Sequence, residues 1–428
     1  MSDATTPVDY RPMWEDLNLD LEMHDALLTA IPQLYKSVFA RQQNRPEGMQ
    51  YFDFVMREIH GLRVKELDDF RKAGNKVVGV FCLYVPEEIV RAHGAWCVGL
   101  CAGAEFGYDE AERVMPRNTC PLIKSFMGFK LARVCPYVEE SDLVIGETTC
   151  DGKKKAYELL AEVQDVWVME LPQMKREKDK RFWRDEVREL VSRVQDLTGN
   201  TMTVESLSTA VKEVNDKRRA LQRIAEARKA DPVPISGRDA LLAVQVAFYD
   251  DVGRFTEMVN KIADELEERV AAGEGVAPRG AKRILVTGTP MAVPNWKVHD
   301  IVEKAGGVVV QEELCTGSRY FDTLVPESNG SLDAMIDAVA DKYLGINCAC
   351  FTPNQGRCDD VIRMAKDWNA NGIIDYSLQF CDPYQMESTL VERAAQDAGI
   401  PHLKIETDYS MEDVGQLSTR VEAFLEML

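Results

Sequence analysis

Two patterns of apolar residues alternate along this chain. Short continuous apolar runs predict strands buried on both faces, and apolar residues recurring every three or four positions predict amphipathic helices. Residues 14 to about 45 and 51–74 carry the helical pattern. An apolar run then starts near Val77, turns at Cys82 and meets a helix opened by Pro86, Glu87 and Glu88. Proline near the first helical position and acids in the first turn are start signals. AWCVGLCAG reads as a strand ending at Cys101, and Cys120 stands just before Pro121 at another helix start. Residues 141–163 read as strand, Cys150 and helix, and 165–172 as a further strand.

The pattern changes from about residue 173. Residues 175–199 and 204–230 are highly charged and helix-periodic, which predicts a helical connector. AAGEGVAPRGAK (271–282), rich in Gly, Ala and Pro, predicts a linker. Strands are expected again at 283–290, 306–317, 372–381 and 402–409, with Cys315 and Cys381 at strand ends. Strand–helix alternation implies parallel, doubly wound sheets. The expected architecture is α/β: a helical N-terminal segment (1–60), a first Rossmann-like domain (61–172), a helical connector (173–275) and a second Rossmann-like domain (282–428).

The chain has 428 residues, 45% of them hydrophobic and 29% charged, which suits a soluble globular protein of two or three domains. Its net charge of −20 argues against a general nucleic-acid binder. No secretory signal pattern and no apolar run of membrane-spanning length are visible. A cytoplasmic location is expected, with no membrane partner. Thiols there stay reduced, so the cysteines are expected to be buried apolar residues, metal ligands or catalytic groups rather than a disulfide framework.

Cysteine placement is the most informative chemical signal. Six of the eleven lie between Cys82 and Cys150; the next 164 residues (151–314) have none; five follow from Cys315 to Cys381. This predicts a site assembled from both ends of the chain. Most of these cysteines sit where a predicted strand gives way to a helix or loop, which is where open α/β sheets bind ligands. Helix N-termini there also favour thiolates. Structural zinc, a redox dithiol, inert core thiols and an iron–sulfur cluster all remain open. Cys97–Cys101 and Cys348–Cys350 are the nearest approaches to a zinc-type pair, and no C-x2-C occurs. A cluster can draw thiolates from distant segments, which suits the two-ended distribution.

Other signals are fewer. The chain contains no P-loop, G-x-S-x-G or H-E-x-x-H motif. Lys153, Lys154 and Lys155 open a helix, against the dipole preference, so they are either solvated or compensated by a nearby anion. His93 and His402 are isolated and are expected to be structural.

ETTCDGKKK (147–155), PRNTCPLIKS (116–125) and LQFCDPY (378–384) resemble signatures of the 2-hydroxyacyl-CoA dehydratase and benzoyl-CoA reductase family. FC (81–82), VPEEI (85–89), GLCAG (99–103), CTG (315–317), CACFTPNQGR (348–357) and the tail 406–428 resemble its double-cubane cluster branch. The resemblance runs from about residue 60 to the C-terminus, and the first 45 or so residues carry no such signature.

The resemblance implies two Rossmann-like domains with a cluster between them. Ordinary dehydratase subunits hold one [4Fe-4S] cluster through three cysteines, which correspond here to Cys120, Cys150 and Cys381. The double-cubane branch holds an [8Fe-9S] cluster through six. The three further ligands are expected to be Cys82, Cys101 and Cys350, with Cys348 and Cys315 in reserve. Cys97 and Cys358 match no family motif, and Cys135 matches the branch but lies away from a clear strand end. The resemblance further implies a homodimeric [4Fe-4S] ATPase as electron donor and a likeness to reductases of small molecules in a homodimer. The alternatives are a single-cubane 2-hydroxyacyl-CoA dehydratase subunit, and a non-enzymatic cluster carrier or zinc-stabilised interaction protein. Lys153 and Lys154 are expected to balance cluster charge.

Overall fold

The computed structural model describes residues 8–327 and 330–428. One four-stranded sheet contains β1 (Val77–Val80), β2 (Trp96–Gly99), β3 (Leu143–Glu147) and β4 (Val166–Met169). The other contains β5 (Lys282–Gly288), β6 (Gly307–Glu313), β7 (Gly372–Leu378) and β8 (His402–Thr407). Every pairing is parallel, and the orders are β2-β1-β3-β4 and β6-β5-β7-β8. The expected α/β, doubly wound class is therefore observed, twice. In such sheets the chain reverses its winding direction between the two central strands, which opens a crevice beyond their carboxyl ends. Those strands are β1 and β3 in one sheet and β5 and β7 in the other.

All residues of β1, β3, β6 and β7 are buried, which explains their mostly apolar runs. Polar residues interrupt them at Glu147 in β3, Gln311 in β6 and Asp375 and Ser377 in β7. Two more are instructive: Glu312 and Glu313, at the end of β6, are buried acids. Each is held by a buried arginine, Arg228 for Glu312 and Arg319 for Glu313. Strand ends differ slightly from expectation. β2 stops at Gly99 and β7 at Leu378, so Cys101 and Cys381 lie in the following loops. Pro86 is the N-cap of the helix Glu87–Ala92 rather than its first residue.

The N-terminal run divides into helices Arg11–Asp16, Leu21–Phe39, Met49–Arg57 and Leu62–Lys72. Its first break falls at Asn18, which adopts a left-handed φ of 60°, and Asp20 then caps the second helix. Tyr35 and Phe39 of that helix pack edge-on against Trp296, just after β5, so this segment spans both sheets' surroundings. The connector contains helices Glu177–Thr198, Val204–Ala227, Gly237–Val246 and Val252–Ala272. Gly237–Val246 is almost wholly buried, unlike its charged neighbours. Trp183 bonds the carbonyl of Ala340, and Arg218 bonds Glu88, so the connector grips both halves. Gly103 lies where they meet: its amide donates to the Val293 carbonyl at 2.8 Å, and a Cβ there would collide with Ala292.

Candidate functional site

The crevices of the two sheets open into one shared cavity of about 690 Å³. Nine of the eleven cysteines line it: Cys82, Cys97, Cys101, Cys120, Cys150, Cys315, Cys348, Cys350 and Cys381. Cys135 and Cys358 lie outside it. All six residues singled out from the sequence therefore face one space, together with both reserve residues and Cys97.

Local structure explains how the thiols arrive there. Cys120, Cys150 and Cys381 are each the N-cap of a helix, at Pro121–Leu131, Asp151–Leu160 and Asp382–Asp397. The free amides of a first helical turn give the positive end of the helix dipole, so each sulfur lies at a site that favours a thiolate. The Lys153 amide donates to Cys150 Sγ at 3.4 Å. Before Cys381, Phe380 adopts a left-handed φ of 59°. That conformation costs a non-glycine residue on the order of 1–2 kcal/mol. It reverses the chain after β7 and places the thiol at the helix start.

The thiols fall into two groups. Cys120 and Cys381 are neighbours, with Cys150 beside them. Across the cavity Cys82 neighbours Cys315, and Cys348 neighbours Cys350. The Arg319 guanidinium faces Cys315 and Cys348 and favours their ionised form. Cys101 points differently: its thiol donates to the Phe81 carbonyl at 2.9 Å, and burial pushes its pKa up to about 12.

The three lysines separate. Lys153 is buried, forms an ion pair with Glu147 at the end of β3, and lines the cavity. Burial opposes its charge, yet Glu147 and the nearby phenol and thiols hold its pKa well above that of free lysine. Lys154 pairs with the exposed Asp151 and Lys155 with Glu158. The expectation that Lys153 and Lys154 act together is thus corrected: only Lys153 is turned inward, because helical spacing sends neighbouring side chains to different faces.

Sequence reasoning missed the charged supports beneath the thiols. Glu147 accepts from Lys153 and from Tyr157 at 3.2 Å. Glu313 holds Arg319, and Arg357 bridges Glu313 and Glu387. Buried acids at strand ends were the available signal, since a desolvated carboxylate requires a partner. His93 bonds the Ile89 carbonyl and His402 lies 3.7 Å from Asp375, both inside the fold.

The donor chemistry suits an iron–sulfur group. Soft thiolates from separate segments surround a single space, with amide dipoles directed at them. Among the described residues, no three His, Cys, Asp or Glu side chains converge to hold a single metal ion. No helix among them is long and apolar enough to cross a membrane.

Comparison with known proteins follows the same lines. Residues 82–428 match the profile of the 2-hydroxyglutaryl-CoA dehydratase D-component family. The chain is 40% identical over 363 residues to the Escherichia coli (strain K12) protein named "Putative dehydratase subunit YjiM", covering 84% of this chain and 93% of that one. It is 26% identical over 367 residues to the (R)-phenyllactyl-CoA dehydratase beta subunit of Clostridium sporogenes, covering 83% and 93%. The beta subunit of (R)-2-hydroxyglutaryl-CoA dehydratase from Acidaminococcus fermentans is 25% identical over 380 residues, covering 85% and 95%.

Proposed function

The chain belongs to the 2-hydroxyglutaryl-CoA dehydratase D-component family, and on that premise we propose that it is a low-potential reductase of small molecules built around an [8Fe-9S] double-cubane cluster. One observation carries this reading: a second group of thiols faces the same cavity as Cys120, Cys150 and Cys381. A single cubane held by those three would leave the second group without a task.

The proposed ligands on one side are Cys120, Cys150 and Cys381. The sequence put Cys82, Cys101 and Cys350 on the other. We place Cys82, Cys315 and Cys348 there instead, because Cys101 is bonded back to the Phe81 carbonyl, whereas Cys315 Sγ faces the Arg319 guanidinium at 3.8 Å and Cys348 Sγ faces the Tyr384 hydroxyl at 3.4 Å. When bound, the cluster would store electrons for delivery one at a time. Helix amides steady one set of sulfurs, and Lys153 places a buried positive charge beside the cavity. Apolar walls from Phe81, Leu83, Phe248, Val293 and Phe351 exclude water. A separate homodimeric [4Fe-4S] ATPase supplies the electrons in this reading, and the chain itself works as a homodimer in the cytoplasm.

The second reading is a 2-hydroxyacyl-CoA dehydratase subunit with one [4Fe-4S] cluster on Cys120, Cys150 and Cys381. It is favoured by the relatives that bear dehydratase names. Iron and acid-labile sulfide measured after anaerobic purification separate the two. About eight irons per chain are expected for a bridged pair of cubanes. About four would transfer the assignment to the dehydratase reading. Zinc or free thiols in a protein never exposed to oxygen would sink both.

A further inference from the structure

The two thiol groups meet different kinds of donor. In the first group the Lys153 amide donates to Cys150 Sγ, and Cys120 and Cys381 stand at the N-termini of their helices. Two sulfurs of the other group meet side chains. The Arg319 guanidinium reaches Cys315 Sγ at 3.8 Å, and the Tyr384 hydroxyl lies 3.4 Å from Cys348 Sγ.

Arg319 also donates to the Tyr384 oxygen. A guanidinium only donates, so the phenol accepts there and its own proton is left to point at Cys348. The arrangement is held firmly. Arg319 donates to both oxygens of Glu313 and to the Gly288 carbonyl at 3.1 Å. Arg357 sits over the Tyr384 ring, 4.9 Å from its centroid, and bonds Glu313 and Glu387 at 3.2 and 2.6 Å. Arg319, Arg357, Glu313 and Glu387 are all buried, and their formal charges cancel. Asn354 ties the Cys348 carbonyl to Glu387 at 2.9 and 2.7 Å, fixing the loop that carries the sulfur.

Hydrogen bonds to ligating sulfur withdraw electron density and favour the reduced cluster. We propose that Arg319 and Tyr384 are positioning residues that raise the reduction potential of the half-cluster held through Cys315 and Cys348, the Tyr384 hydroxyl by hydrogen-bonding Cys348 and the Arg319 guanidinium by holding that hydroxyl and placing its charge beside Cys315. The proposal rests on the double-cubane reading. The step it governs is simple. An external low-potential one-electron reductant gives up one electron, and one ferric iron formally becomes ferrous. No bond forms or breaks, and the phenol keeps its proton.

The test is a redox titration followed by electron paramagnetic resonance, on anaerobic protein of measured iron content, with dithionite or a europium(II) chelate as reductant. Tyr384→Phe removes one oxygen atom and keeps the packed ring. It is expected to retain full iron and to move a midpoint to more negative potential. A tenfold fall in the ratio of reduced to oxidised form at the wild-type midpoint corresponds to about 59 mV for one electron. Arg319→Met is expected to shift it further, and Arg319→Lys to restore part of the difference. If Arg319→Met fails to fold, Tyr384→Phe decides alone. Eight irons per chain with an unmoved midpoint in Tyr384→Phe overturns this proposal and leaves the cluster reading intact. Four irons in the wild type removes the half-cluster and overturns both.

Discussion

Cys120 and Cys381 come from opposite halves of the chain, yet their thiols are neighbours in the wall of one cavity. One precedes the helix Pro121–Leu131 and the other the helix Asp382–Asp397, so two helix N-termini converge on one pair of sulfurs. A group bound here would tie the two parallel sheets together, in addition to contacts such as Gly103 with Val293.

Cluster removal is therefore expected to loosen the halves. A group bound only by the folded form stabilises it by about 3 kcal/mol or more once it is a hundredfold above its dissociation constant. Chelation under anaerobic conditions should lower Tm by several degrees and increase hydrogen exchange in the loops around Cys120, Cys150 and Cys381. Equal melting of the iron-loaded and stripped proteins would count against a cluster spanning both halves.

Single cysteine replacements should divide into two classes. Cys120→Ser, Cys150→Ser, Cys381→Ser, Cys315→Ser and Cys348→Ser are expected to lose roughly half of the iron or more, since each removes one of three ligands to a cubane. Cys101→Ser, Cys350→Ser and Cys97→Ser are expected to keep it. Iron assays on the purified variants decide this. Loss of iron in Cys350→Ser with retention in Cys348→Ser would reverse the assignment of that pair.

Much of this site was legible in the sequence because strand ends, helix caps and cysteines coincide there. Apolar runs located the strands, and Pro121 marked the helix start next to Cys120, while the helix start at Cys381 emerged only in the structure. The pairing of sulfurs was not legible. Cys315 follows β6, whereas Cys348 and Cys350 follow the helix Leu332–Leu344, and only the packing of β6 beside β5 and the path of the loop after Leu344 bring them together. Nor could the lysine run be resolved, since Lys153 and Lys154 are chemically alike and differ only in the helix face they occupy. The buried acids that compensate Lys153 and Arg319 stand at strand ends, where sequence pattern records an interruption of apolar character and not its partner.

Lys153 should prove far more consequential than Lys154. Lys153→Met leaves the Glu147 carboxylate buried, with Tyr157 as its remaining partner. Breaking one side of a buried ion pair costs about 3–5 kcal/mol. Lys154→Ala removes an exposed, solvent-screened pair with Asp151, which contributes little to stability. Denaturant unfolding of the two variants should differ accordingly, and Lys153→Met combined with Glu147→Leu should recover part of the loss. Similar midpoints for Lys153→Met and Lys154→Ala would contradict the burial described here.

The N-terminal helices should give the protein a specific acid sensitivity. His24 Nε2 and His60 Nδ1 are 2.9 Å apart in the interior, and the Trp14 indole bonds the His60 carbonyl at 2.8 Å. Burial pushes His24 down to about 4 and His60 to about 3 from an ordinary 6.5, and for His60 the neighbouring ring adds to it. These folded-state values lie below those of the unfolded chain. Between pH 6.5 and about 4 the unfolded chain takes up protons that the folded pair refuses. The stability is present above pH 6.5 and is lost as pH falls through that window, by about 2 kcal/mol per imidazole at pH 5. His24→Gln keeps a hydrogen-bonding side chain without a titrating ring, so its melting temperature should fall less steeply below pH 6.5 than that of the wild type. Parallel curves for the two proteins would show that the acid sensitivity arises elsewhere.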